Sequence, residues 1–230
     1  MLDELNAAFT ATSPEAKRGD YAHAAIDGNC FGKTTVATRR LTNQRLGELY
    51  GLDPDIPVFR ILRGLWDMDL DGRPLLALLV AMARDPLLMA TAPAVIPLRE
   101  GVEFMRDPMK VALRLAVGER LNDSILDKVA RNAASSWTQS GHLVGRTFKR
   151  RQLVGVSVPA LALALYLGHV AGFRGNDLLA TGWVSVLDCS PTKAQELALA
   201  AKRLGLIDLR IGGDILEIGL DRLDPWKRRQ

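Results

Sequence analysis

The sequence predicts a mainly α protein: a compact helical bundle carrying two winged-helix-like units, each a helix followed by a hairpin. Three observations support this. Apolar residues recur at helical spacing along most of the 230 residues. Gly, Pro and Asx residues punctuate the chain at intervals that suit helices. Two helices, ending near Ser140 and Leu204, run directly into a glycine, an apolar pair and a hairpin signal. With 48% hydrophobic residues a chain of this length can bury a sizeable core without a disulfide or a metal.

In chain order, GKTTVATRRLTNQRLGELYGL reads as a helix opened at Thr34 or Thr35 and closed at Gly51, with Val36, Leu41, Leu46 and Leu49 as expected core contacts. A turn from Asp53 to Pro57 leads to a helix from Val58 to about Met68. After Asp71, Gly72 and Pro74 comes the apolar helix LLALLVAMARD, which Asp85 and Pro86 end, and Pro86, Pro93 and Pro97 then break the chain into short pieces. A helix over Pro108 to Leu115 follows, then a long one capped by Asn122 or Asp123 and running to about Gln139. Ile125, Val129, Ala133 and Trp137 form one row on it, and Leu126, Ala130 and Ala134 a neighbouring row, so the two together make a core-facing stripe with Trp137 buried.

The apolar run from Val154 to Phe173 approaches membrane-spanning length, yet it contains Pro159, glycines and His169 and is rich in alanine, which predicts a buried core helix. Beyond it, LIDLRI and DILEIGL alternate about Gly212 and Gly213, a hairpin after the helix Pro191 to Leu204. GHLVGRTFKRRQLVGVS after Ser140 shows the same order with a basic loop. Residues 1–151 are expected to form a helical region ending in the first, basic unit. Residues 152–230 would supply the apolar helix and the second unit, all packed as one body.

Charge is distributed unevenly although the net value is only +4. Gly28 to Gly47 has no acid but contains Lys33, Arg39, Arg40 and Arg45; Lys128 to Asn176 has no acid but contains Lys128, Arg131, Arg146, Lys149, Arg150, Arg151 and Arg174. Such acid-free stretches suit a polyanion-facing surface, although two solvated basic faces would look the same. On the long helix, Lys128, Arg131, Asn132, Ser135, Thr138 and Gln139 oppose the apolar stripe, and these side chains hydrogen-bond phosphates and base edges. The following loop, Arg146 with Lys149 to Arg151, would lie along flanking backbone. Lys33, Thr34 and Thr35 at a helix start are further phosphate ligands. The two basic segments are therefore expected to face the same way and form one continuous positive surface. The second unit mixes Lys193, Glu196, Asp208, Arg210, Asp214 and Glu217, which suits packing or protein contact. Lys227, Arg228 and Arg229 could add a phosphate contact or be a frayed tail.

Catalytic constellations are not found. GNCFGKTT has three residues between its first glycine and Gly-Lys-Thr, where a phosphate-binding loop needs four, and no apolar strand precedes it. Asp67, Asp69 and Asp71 alternate like a calcium loop, but Leu78 stands where an acidic ligand belongs, so turn roles are expected. His23, His142 and His169 have no metal spacing; His142, just past the long helix, is expected to meet that helix's last carbonyls. Cys30 and Cys189 belong to no ligand motif and read as reduced thiols. Asp3 and Glu4 stand where an export signal would be basic, so a cytoplasmic chain with no membrane contact, no cofactor and no metal is expected.

GKTTVATRRLTNQRLGELYGLDP and SSWTQSGHLVGR resemble the small A protein family of BREX phage-exclusion systems, over roughly residues 28–151. The resemblance implies a mostly helical fold with winged-helix character and DNA binding without known catalysis. It also implies work beside larger defence proteins such as a methyltransferase and an ATPase. The expectation is thus a non-enzymatic, largely sequence-tolerant subunit that binds double-stranded DNA in a bacterial antiviral system. The alternative is an adaptor whose basic surfaces and neutral second unit bind partner proteins.

Overall fold

The computed structural model describes residues 1–213, 215–224 and 226. Two short helices open the chain, Leu2–Thr10 (α1) and Arg18–Ile26 (α2). Val36–Tyr50 (α3) starts where its cap predicts, the Thr35 hydroxyl accepting from the Thr38 amide at 3.2 Å, and it ends at Gly51. Pro57–Trp66 (α4) and Arg73–Arg84 (α5) each have a proline in the first turn, where its missing N–H is harmless. Asp85 then accepts from the Leu87 and Leu88 amides and starts Pro86–Ala90 (α6).

Arg106–Val117 (α7) precedes Asp123–Gln139 (α8), whose Asn122 cap accepts from the Ile125 amide at 2.9 Å. Strands Leu143–Val144 (β1) and Arg150–Arg151 (β2) pair antiparallel, with Leu143 opposite Arg151. Ser157 caps Val158–Val170 (α9), Thr181 caps Gly182–Val186 (α10) and Ser190 caps Pro191–Arg203 (α11). Asp208–Gly212 (β3) and Ile215–Gly219 (β4) form the second antiparallel hairpin.

Two helices that are apolar all round form the centre, because such a helix is stable only when covered on every side. In α5 every residue from Leu75 to Met82 is buried, and in α9 every residue from Pro159 to Leu165. They pack on each other; α4, α10 and α11 close round α9, while α3 and α8 lie against α5. Gly168 sets one of these distances: a Cβ there would lie 3.1 Å from Thr181 Cγ2 and 3.2 Å from Leu178 Cδ2. Buried side chains from Leu5 to Leu223 form one connected apolar cluster that crosses residue 151. No single helix among the described residues is long and apolar enough to cross a membrane.

Several expectations need correction. Val36 and Leu41 are exposed, because α3 buries the face made by Thr42, Leu46 and Tyr50. On α8 the buried side is Leu126, Ala130, Ala133, Ala134 and Trp137, while Ile125 is 45% exposed. The helix rests on both α7 and α5, so its buried face is centred between the two expected rows.

Both helix-plus-hairpin successions exist, but the first hairpin is not a projecting wing. Its strands are two residues long, and β2 is joined on its other side to the 101–104 segment: Phe104 N donates to Lys149 O at 2.7 Å and Arg151 N to Val102 O at 2.9 Å. The β1–β2 turn depends on Gly145 (φ +110), where a Cβ would lie 2.2 Å from Phe148 O. Asp214 of the second hairpin and Lys227, Arg228 and Arg229 lie outside the described residues.

Candidate functional site

α3, α6 and α8, all packed on α5, line a cleft of about 820 Å³ that narrows onto buried α5 side chains. Pro74, Ala77, Leu78 and Ala81 form its floor; their spacing places them on one face of α5. Leu49 and Tyr50 add apolar surface from α3, Val129 and Ala133 from α8, and Leu87 and Leu88 from α6. The rim is polar: Arg45 and Glu48 on α3, Lys128, Asn132, Ser135 and Gln139 on α8, and Arg84 at the end of α5. Arg84 is held in place by donating to Glu48 O at 3.0 Å and Gly47 O at 3.3 Å. The cleft also holds two carboxylates, Asp85, which caps α6, and Glu48, which accepts from Gln44; both bonds come from neutral donors, so both negative charges remain.

Five expected site residues therefore meet in one place: Arg45 from the first basic segment, and Lys128, Asn132, Ser135 and Gln139 from the second. Among the described residues no side-chain hydrogen bond or ion pair engages Arg45 or Lys128, and the same holds for Arg40 and Arg146 on other parts of the surface.

The remaining basic residues are largely committed to the protein itself. Lys33 binds Glu4 at 2.9 Å, so its charge is paired within the protein. Arg39 donates to the Lys33 and Ile26 carbonyls at 3.0 and 3.1 Å. Thr35 is the α3 cap, and Thr34 is exposed. Arg131 pairs with Asp127 one turn earlier, 3.1 Å away. Lys149 bends back to Thr138 Oγ1 at 2.8 Å and Gly145 O at 3.2 Å. Arg150 is exposed, with one long contact of 3.5 Å to Gly101 O.

Arg151 departs furthest from expectation. Its side chain is 0% exposed, ion-paired to Asp188, and it donates to Val95 O at 3.1 Å and to Gln152 O. Asp188 also accepts from Val154 N at 3.0 Å, so one carboxylate ties β2 and the chain entering α9 to the segment after α10. The expected run of three backbone-following cations is really one exposed, one half-buried and one core residue, because alternation in β2 turns Arg151 inward.

His142 is also fully buried. Nε2 donates to Val186 O at 2.6 Å, Nδ1 meets the Ser140 hydroxyl at 2.8 Å, and the ring stands edge-on to Trp137. It thus bridges to the α10 region instead of binding the last carbonyls of α8. Burial pushes its pKa down, with a smaller push from the Arg151 charge, against the opposing pulls of the Val186 bond and the Asp188 carboxylate, so the ring is held neutral. Trp137 is core as expected, and its indole N–H donates to Thr91 Oγ1 at 2.8 Å. The aspartates serve turns and pairs: Asp67 binds Arg63 and Arg73, Asp69 accepts from Gly72 N and from Ser157, and Asp71 is an exposed turn residue.

Sequence reasoning missed the Arg151–Asp188 pair and the cleft itself. Adjacent arginines in an extended strand must point to opposite sides, but nothing in the sequence marked Asp188 as the partner of the inward one.

No family model, no curated protein and no solved structure matches the chain. Among the described residues no three His, Cys, Asp or Glu side chains are grouped to hold a metal. The expectation of a winged-helix, helix-turn-helix, DNA-binding protein of the BREX antiviral type is corrected on the geometry. The face of α8 meant for a major groove lines a cleft floored by α5, the wing is sewn to the 101–104 segment, and Arg151 belongs to the core.

Proposed function

We propose that the chain is a protein-binding adaptor whose α3–α8 cleft receives an acidic segment of a partner polypeptide. One observation carries this reading: unpaired Arg45 and Lys128, from the two acid-free segments, stand on opposite walls of one cleft above an apolar floor. Cations around a recessed apolar surface complement a chain with apolar side chains and flanking carboxylates. A phosphodiester backbone instead seeks donors spread along an open surface and gains little from Leu78 or Val129.

The test is fluorescence anisotropy with two labelled probes, an acidic amphipathic peptide and a random-sequence DNA duplex, each at low and moderate salt. The expected result is peptide binding that Arg45→Glu and Lys128→Glu weaken. Duplex binding with a steep salt slope and no peptide binding would overturn the proposal, as would peptide binding indifferent to both substitutions.

A further inference from the structure

We propose that the outer face of α7 is the contact through which two copies of this chain associate about a two-fold axis. This surface is separate from the α3–α8 cleft, so the inference goes beyond the adaptor reading and does not depend on it.

α7 carries two apolar faces. At about 100° per residue Met109, Leu113 and Val117 fall on one side, and these are the residues buried where the helix packs on α6 and α8. Met105 at the cap position, Pro108, Val111 and Leu115 recur at spacings of three and four on the far side, and all four face solvent. Met105 and Val111 are each 60% exposed, and Leu115 is 83% exposed. Asp107, Lys110 and Arg114 are confined to one flank between the two faces. A surface helix ordinarily has one apolar stripe and a polar remainder, whereas apolar residues on both faces call for a cover on both.

The first hairpin extends the bare ridge. Glu103 bridges antiparallel to Arg150, which pairs with Val144, so these three side chains share the outward face of a short sheet whose inward residues, Leu143 and Arg151, are buried. Two residues along, the same register sets Met105 across from Phe148, which is 72% exposed. Scattered exposed apolar residues are ordinary, but a contiguous group such as this marks an interaction surface.

Charge selects the occupant. Asp107 lies in the first turn of α7 and Arg114 in the last, both on the flank beside Val111. In an antiparallel pair of α7 helices centred between them, Asp107 of each copy meets Arg114 of the other; a parallel pair would set like charges together. On the hairpin side Glu103 has no ion pair among the described residues and Arg150 has one long contact, so the patch offers charges of both signs to an identical surface. The acids Glu103, Asp107, Glu119 and Asp123 around it disfavour an anionic lipid surface. The α7 ridge from Met105 to Leu115 is about 15 Å long. Even broadened by Phe148 and Val144 it falls short of the roughly 800 Å² per partner of a standard interface, so a micromolar dissociation constant is expected.

The experiment is sedimentation velocity of the full chain from about 1 to 200 µM. The mass is expected to rise from 25.1 kDa towards twice that value as concentration increases. Leu115→Glu, at a solvent-facing helix position, should raise the dissociation constant at least about tenfold with helicity and thermal stability unchanged, and Asp107→Lys should raise it roughly fivefold. Val111→Cys, close to the two-fold axis, should cross-link two copies under mild oxidation, while Met105→Cys, far from that axis, should not exceed the wild type. Arg45→Glu, in the cleft, should leave self-association unchanged, so a failure here is distinct from a failure of the adaptor reading. A monomer at every concentration overturns the proposal, and if that monomer pellets with phosphatidylcholine–phosphatidylserine vesicles in a Leu115-dependent way, the ridge belongs to lipid. Self-association indifferent to Leu115→Glu overturns it equally, and cross-linking through Met105→Cys but not Val111→Cys overturns the antiparallel arrangement.

Discussion

Replacing Arg151 with Met tests whether the first hairpin is a surface feature or part of the core. The guanidinium is fully enclosed, its counter-ion Asp188 is 8% exposed, and Val95 O and Gln152 O also lose a donor in the variant. Removing one member of a buried pair leaves the other charge uncompensated, which typically costs about 3–5 kcal/mol. For a chain of this size each kcal/mol lowers Tm by about 2–4 °C, so a fall of about 6–20 °C is expected. Arg150→Met, one residue earlier and exposed, should cost less than about 0.5 kcal/mol. Urea and thermal unfolding followed by circular dichroism would measure both, and adding Asp188→Asn to Arg151→Met should restore part of the loss by removing the orphaned charge. Equal, small effects at 150 and 151 would refute the buried pair and with it the inward turn of β2.

Four further outcomes are expected. Trp137→Ala should destabilise by about 3–5 kcal/mol in denaturant unfolding, and Thr91→Val by about 1–3 kcal/mol, because it leaves the buried indole N–H without its acceptor. Stability should fall as pH drops below the ordinary histidine value of about 6.5: His142 is kept neutral in the fold, so the unfolded chain takes up the proton first. That contribution is complete above this range and is lost with a slope of up to about 1.4 kcal/mol per pH unit; chemical unfolding from pH 7.5 to 5 should show it in the wild type and not in His142→Gln. Thr35→Ala should cost about 1 kcal/mol by removing the α3 cap, read as a shift in the unfolding midpoint.

Local chemistry alone determined most of the helical framework. Thr35, Asn122 and the Asp85-Pro86 boundary sit where helix ends must find side-chain partners, and those signals act over a few residues whatever surrounds them. The runs in α5 and α9 announced buried helices because nothing polar on them could face water. What the basic side chains do was decided by tertiary structure, since charge pairing depends on distance in space. Lys33 meets Glu4 across 29 residues and Arg151 meets Asp188 across 37, and no local pattern encodes either encounter. The cleft has the same origin: α8 is amphipathic by sequence and α3 largely polar, and only their packing on α5 brings Arg45 and Lys128 to one cleft. Side-chain type told which groups could bind a partner, and packing decided which of them remained free to do so.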